Sequence, residues 1–204
     1  EIKALAEAGS ANEIIMLANP ILHRFFFDHV NWNRRQDQEK KAGFFIDTLE
    51  LPPPARVGFK IMSAWGRARI LNRIFGVNKM VARDNAALYA TAPAFGIIKA
   101  PDESAQSALE TGMALERIWL TAESLGLSLQ PLTGILFFAL RINAGETEGF
   151  SETEQALIRE HHGRIKEGGG LGPCTSYFMF RIGHAEPPSA RSIRFSVDEV
   201  STTL

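Results

Sequence analysis

The segment from Glu103 to Leu125 constrains this chain most. It carries Ala105, Ala108, Leu109, Gly112, Leu115, Ile118, Trp119, Ala122 and Leu125 at three- and four-residue spacing. That period makes an apolar stripe along one face of a long helix, and such a stripe has to be covered by another element. Asp102 is placed to cap its N-terminus, and Gly126 ends it. Ala108 and Gly112, four apart, form a small-residue notch where a second helix can come close. A helix of this length needs a layer to lie on, and the chain around it supplies short strands.

Ala90 to Ala100 (ATAPAFGIIKA) reads as a short buried strand built on Phe95, Ile97 and Ile98. Tyr177 to Gly183 (YFMFRIG) reads as another, with Arg181 toward its end. After Gly126 come LSLQPLTG and an apolar run from Ile135 to Leu140. Ser151-Glu152-Thr153-Glu154 is a capping box that opens a helix through about Lys166, and Gly168-Gly169-Gly170 breaks the chain. Pro187-Pro188 leads into an irregular, then extended, tail from Ser189 to Val200.

The first third is helical. Ile2, Leu5, Ala6 and Gly9 keep a helical spacing that Glu13 to Ala18 continue until Asn19-Pro20. Pro20 starts a second helix carrying Ile21, Leu22, Phe25, Phe26 and Val30. Phe25-Phe26-Phe27 spans too much of that helix for one stripe and calls for two packing neighbours. Asn31 to Lys41 reads as an exposed loop or frayed helix. Pro52-Pro53-Pro54 launches a helix with Val57, Ile61, Ala64, Trp65, Ala68, Leu71 and Phe75 on one face, and Gly76 stops it. Its opposite flank is basic: Arg56, Lys60, Arg67, Arg69 and Arg73.

The chain has 204 residues, 45% of them hydrophobic, and a formal net charge of −1. Such a balance suits a globular protein and supplies no overall positive field for nucleic acid. Cys174, the single cysteine, excludes an internal disulfide framework and points to a reducing, cytoplasmic setting. No apolar run reaches membrane-spanning length, and no signal peptide is read, so no membrane partner is expected.

Familiar catalytic patterns fail. Gly168 to Gly172 lacks the Lys-Ser/Thr tail of a phosphate loop. His161 and His162 are adjacent, so on a helix they point about 100° apart and cannot share a metal, leaving a surface role and no metal site. No nucleophile elbow surrounds any serine. A chain without an evident acid, base or nucleophile is what a cofactor-driven enzyme presents, because the cofactor carries the chemistry.

Two segments, ETGMALERIWLTAESLGLSLQPLTG and FMFRIGHAEPPSARSIRFSVDEV, resemble the C-terminal half of the nitroreductase superfamily. PPARVGFKIMSAWGRARILNRIFG resembles a segment of its long or fused members. The resemblance covers Pro53 to Val200 and is most specific from Glu110 to Val200. It implies an α+β fold with a mixed, mainly antiparallel sheet flanked by helices and a helix-rich N-terminal part. Residues 1–204 would form one nitroreductase-like domain, with 1–52 a helical lead-in and loop and 53–204 the family-like core.

It also implies FMN as cofactor and NAD(P)H as co-substrate. Pro131 and Leu132 would pack on the flavin. The Thr133 N–H would point at flavin N5, with Gly134 allowing close approach. Arg191 and Arg194 would hold the phosphate with their planar donor forks, and Arg181 would be structural. No catalytic side chain is implied. The family builds its site across a dimer, so a homodimer or a second nitroreductase-like half is expected.

The family's Arg-Ser-x-Arg-like segment and its Ala-Pro-Ser-x-x-Asn-x-Gln-Pro-Trp motif do not occur, and Gly9-Ser10-Ala11-Asn12 only echoes the latter. That fits either the C-terminal half of a longer protein or a degenerate flavin site. Three functions stay open. One is an FMN oxidoreductase passing electrons from NAD(P)H to a nitro, quinone or similar acceptor. The others are a flavin-binding or storage protein without turnover, and a helical interaction module using the basic helix at 56–73.

Overall fold

The computed structural model describes residues 1–201. In chain order the elements are α1 (Ile2–Ser10), α2 (Asn12–Met16), α3 (Pro20–Asp28), β1 (Val30–Asn31), α4 (Arg34–Lys40) and β2 (Phe44–Phe45). A 3-10 turn at Ile46–Leu49 leads to α5 (Pro53–Met62), α6 (Trp65–Phe75), α7 (Val77–Tyr89), β3 (Ala94–Ala100) and α8 (Ala105–Ser124). Then follow β4 (Ser128–Pro131), α9 (Gly134–Asn143), α10 (Glu152–Gly168), β5 (Thr175–Gly183) and α11 (Val197–Val200). The α+β class read from the sequence is the class observed.

The chain forms two compact units, one of Glu1–Asn19 with Phe75–Ala185, the other of Pro20–Ile74 with Glu186–Leu204. In the first, β3, β5 and β4 make an antiparallel sheet with β5 in the middle. β5 is central because it has apolar residues to give to the interior: Met179 is fully buried and Phe180 nearly so. Phe180 pairs with Gly96 on β3, and its ring occupies the space where a Cβ on Gly96 would stand. The β3 strand itself is half-buried rather than buried. Helices α1, α9 and α10 complete the core through Leu5, Ala6, Ile135, Leu136, Ile158 and Ile165.

Several terminators lie where local chemistry puts them. Ser151 and Glu154 form the reciprocal capping box of α10. Gly76 and Gly126 take left-handed backbone, φ 61° and 70°. The cap of α8 is shifted: Ser104 accepts from the Ser107 N–H, and Asp102 accepts from the Ser104 N–H and the Ser107 hydroxyl. These bonds hold the Asp102 carboxyl down at about 2.

The stripe of α8 is also rotated from the expected one. Ser107, Thr111 and Ala122 face inward, whereas Ala108, Leu109 and Gly112 are exposed, and nothing lies within 4 Å of a Cβ placed on Gly112. Apolar residues occupy both sides of this helix, so periodicity found a stripe but not which stripe the sheet covers. His161 and His162, expected at the surface, are half-buried.

In the second unit, Phe26 and Phe27 meet Phe44, Phe59 and Trp32, with ring centroids 5.0–6.3 Å apart. Phe25 stays out, 64% exposed. Buried His23 bonds the Met62 carbonyl through Nε2 at 2.8 Å and packs beside Phe27 and Trp65. The single helix expected from Pro53 to Phe75 is two, α5 and α6, parted at Ser63 and Ala64. A restart resets the helical phase, so Val57 and Ile61 face solvent while Met62 and Ala68 are buried. The basic flank is accordingly divided. Arg56 pairs with Asp47 at 2.5 Å, and Lys60 lies 3.9 Å above the Trp32 ring.

The stretch Asn31 to Lys41, read as exposed loop or frayed helix, is ordered. Asn33 caps α4 by accepting from the Gln36 N–H, and Asp37 within α4 is buried.

Candidate functional site

The Pro-Leu-Thr-Gly turn sits where β4 passes into α9. Pro131 is the last ladder residue of β4, opposite Phe180. The Leu132 N–H donates to the Met179 carbonyl at 2.8 Å, and its side chain is 5% exposed. Leu132 therefore faces the interior, beside Gly9. The Thr133 N–H has no hydrogen-bond partner among the described residues. The first-turn N–H groups of α9, like those of any helix, lack helical acceptors, and no side chain caps them. Ile135 and Leu136, in that same turn, are buried. Oriented donors at a buried helix start favour a ligand atom with spare electron density.

Gly134 has a second reason to be glycine. A Cβ there would come within 2.6–2.8 Å of the Asn12 side chain. The faint Gly-Ser-Ala-Asn echo in the sequence thus reaches the turn from behind: Gly9 meets Leu132 and Met179, and Asn12 meets Gly134. The Asn12 amide, oriented by hydrogen bonding, donates to the Gly9 carbonyl at 2.8 Å and to Glu13 Oε2 at 3.2 Å.

Glu13 opens a polar chain that sequence reasoning missed. Asn85 Nδ2 donates to its Oε1 at 3.2 Å, and the Tyr89 hydroxyl does so at 3.4 Å. Burial raises the Glu13 carboxyl to about 7 despite these bonds. Burial and the neighbouring Glu13 charge raise the Tyr89 phenol as well. The Arg181 guanidinium lies 5.2 Å from the Tyr89 ring centroid and donates to the Leu88 carbonyl at 2.9 Å and to Gln130 Oε1 at 2.6 Å. Gln130 immediately precedes Pro131. A run of polar side chains therefore passes behind the turn, from Asn12 through Glu13, Tyr89 and Arg181 to Gln130. The one signal in the sequence was an acidic residue set directly before Ile14-Ile15-Met16.

Arg191 and Arg194 lie in the second unit, both exposed. Their backbone is pinned rather than loose. Arg34 Nη1 donates to the Arg191 carbonyl at 2.9 Å, the Ile193 N–H donates to Asp37 Oδ2 at 3.1 Å, and the Ser192 hydroxyl accepts from the Phe45 N–H at 2.9 Å. Arg34 also pairs with Asp37 at 2.9 Å. Buried Asp37, unremarked in the sequence, anchors the segment that presents both arginines. Among the described residues the Arg194 guanidinium reaches only its neighbours' carbonyls, at 3.4 and 3.5 Å, which leaves most of its donors for a ligand.

Each unit thus offers donors of its own. Backbone N–H groups at a buried helix start suit an electron-rich planar ring, and arginine forks on an anchored segment suit a phosphate. Among the described residues no helix is long and apolar enough to cross a membrane.

Comparison with known proteins adds one finding. Residues 34–147 match the sequence model of the Nitroreductase family. The match begins ahead of Pro53, takes in the turn at 131–134 and stops short of the two arginines. No curated protein and no solved structure shows a significant match.

Proposed function

Since this chain belongs to the nitroreductase family, whose members are oxidoreductases that generally use FMN, we propose that it is an FMN-dependent oxidoreductase. It takes electrons from NAD(P)H and delivers them to a nitro, quinone or similar acceptor. The observation that carries the reading is the β4–α9 turn, with an unpartnered Thr133 N–H and an uncapped, buried helix start.

When bound, FMN supplies the redox chemistry between nicotinamide and acceptor. The protein's own part is binding and electrostatics. Thr133 and the first turn of α9 offer fixed backbone donors, which stabilise negative charge on a ring without reorganisation. Pro131 offers apolar surface beside them. Leu132 holds the turn from its interior side, and Gly134 lets Asn12 brace it. Arg191 and Arg194 neutralise a phosphate. Both units are read as parts of one nitroreductase-like domain, because the family match runs through residues of each.

A homodimer is part of the same proposal. Leu109, Met113 and Leu120 line one face of α8 and are each at least half exposed. Large apolar side chains at i, i+4 and i+11 form a stripe that a second copy would cover. The single cysteine supports a cytoplasmic setting.

Visible spectroscopy tests the reading. Purified protein mixed with FMN and desalted should stay yellow and bleach with NADPH under anaerobic conditions. A colourless protein refutes flavin binding, and a yellow one that NADPH leaves unbleached is a binding protein, not this enzyme. Arg191→Ala with Arg194→Ala should weaken FMN retention while leaving the circular dichroism unchanged.

A further inference from the structure

Away from the turn, the first unit contains a cleft of about 810 Å³ between α1, α2, α7 and α10. Its existence follows from the sequence of α7. Lys79, Ala82, Arg83, Ala86 and Ala87 recur at three- and four-residue intervals and so lie along one side of that helix, with Ala90 just past its end. Four of these six are alanines, too short to fill the space toward α1 and α10. Ile2 and Ile14 extend the apolar lining. The volume lies within the range of small-molecule sites.

The charge on this cleft is one-sided. Lys3, Lys79, Arg83 and Arg164 line it against one carboxylate, Glu7. Arg83 pairs with Asp84 at 3.2 Å and Arg164 with Glu160 at 2.6 Å. Lys3 and Lys79 have no ion-pair partner among the described residues. The chain as a whole carries −1, so four cations to one anion is a local concentration and not a reflection of composition.

His161 adds an independent observation. It lines the same cleft, and its Nδ1 is shut off from solvent without a hydrogen-bond partner. A buried polar atom left unpaired costs about 1–3 kcal/mol, so the wall of the cleft at His161 is not optimised for packing alone. Burial and the Arg164 charge hold the imidazole below its usual range, with Glu160 and Glu7 opposing, so near neutrality the ring is uncharged.

An apolar floor with a cationic rim matches one kind of molecule. We propose that the cleft binds a small amphipathic organic anion, its apolar body on the alanine face of α7 and its carboxylate or phosphate ester among the rim cations. The proposal is independent of flavin binding.

Isothermal titration of the full chain tests it with four probes. Octanoate and octyl phosphate carry both features, octanol lacks the charge, and inorganic phosphate lacks the body. At least one of the two anionic amphiphiles should bind saturably with one site, and the stronger identifies the head group. Octanol and inorganic phosphate should each bind about tenfold more weakly or less. Lys3→Glu with Lys79→Glu, both at exposed positions, should weaken the amphiphile by about tenfold at unchanged melting temperature. Ala87→Leu, which fills the cleft from an exposed position without altering charge, should also abolish binding. Octanol binding as tightly as octanoate, no saturable binding of either amphiphile, or binding that survives both variants would overturn the assignment.

Discussion

Replacing Glu13 by glutamine separates the cost of its burial from the value of its hydrogen bonds. In the native protein its carboxyl is raised from 4.5 to about 7, chiefly by desolvation. At about 1.4 kcal/mol per tenfold change in proton affinity, that is about 3 kcal/mol of stability linked to one proton. The folded state keeps the proton to higher pH than the unfolded chain does. The contribution is therefore complete below about pH 4.5, declines as pH rises toward 7, and is fully lost above it. A glutamine at this position has no proton to lose. Urea denaturation of wild type and Glu13→Gln, measured from pH 4.5 to 8, should show the variant gaining on wild type by up to about 3 kcal/mol across that interval. A constant offset is expected as well, because the new amide presents donors toward Asn12 where Glu13 Oε2 accepted one. His161 and His162, both held low by burial, give the opposite slope and cancel in the difference. A stability difference that does not change with pH would refute the argument that Glu13 is buried at the expense of its ionised form.

Three further outcomes follow from the packing. Gly134→Ala should destabilise the protein by about 1–3 kcal/mol, since the new methyl meets Asn12 at 2.6–2.8 Å, and an Asn12→Gly background should recover most of the loss in thermal melts. Asp37→Ala should cost about 3 kcal/mol, because it removes the acceptor of the Ile193 N–H and the partner of Arg34; proteolysis should then cut near Arg191 sooner than in wild type. Leu109→Lys with Leu120→Lys should convert a dimer to a monomer in size-exclusion chromatography, and unchanged elution would remove α8 from the interface.

The turn at 131–134 was legible in the sequence as a motif, but its surroundings were not. Pro131 through Gly134 could be named only through the resemblance of the flanking segment, ETGMALERIWLTAESLGLSLQPLTG, to the nitroreductase superfamily; the four residues alone read as an ordinary turn after a strand. That Leu132 faces inward beside Gly9 of α1, and that Gly134 makes room for Asn12 of α2, depends on helices more than a hundred residues earlier in the chain. Arg191 and Arg194 were likewise named through the resemblance; on their own they read as a solvated basic tail. Their anchoring through Asp37 was hidden, because Asp37 belongs to a segment, Arg34 to Lys40, in which every residue is polar. Such a segment looks solvated unless the partners that bury one of its carboxylates are known.

What the sequence determined by itself was punctuation and class. The Ser151–Glu154 box, the left-handed glycines at 76 and 126, and the strands on either side of α8 all rest on interactions between residues four or fewer apart, or on side-chain alternation along one strand. Tertiary structure decided the rest: which side of α8 is covered, where the helix after Pro53 breaks, and that Glu13 is buried behind the turn with Asn85 and Tyr89. Those outcomes depend on which distant surfaces compete to cover a given face. A local pattern carries the period of a helix, but its phase against the core is set by the neighbour it meets.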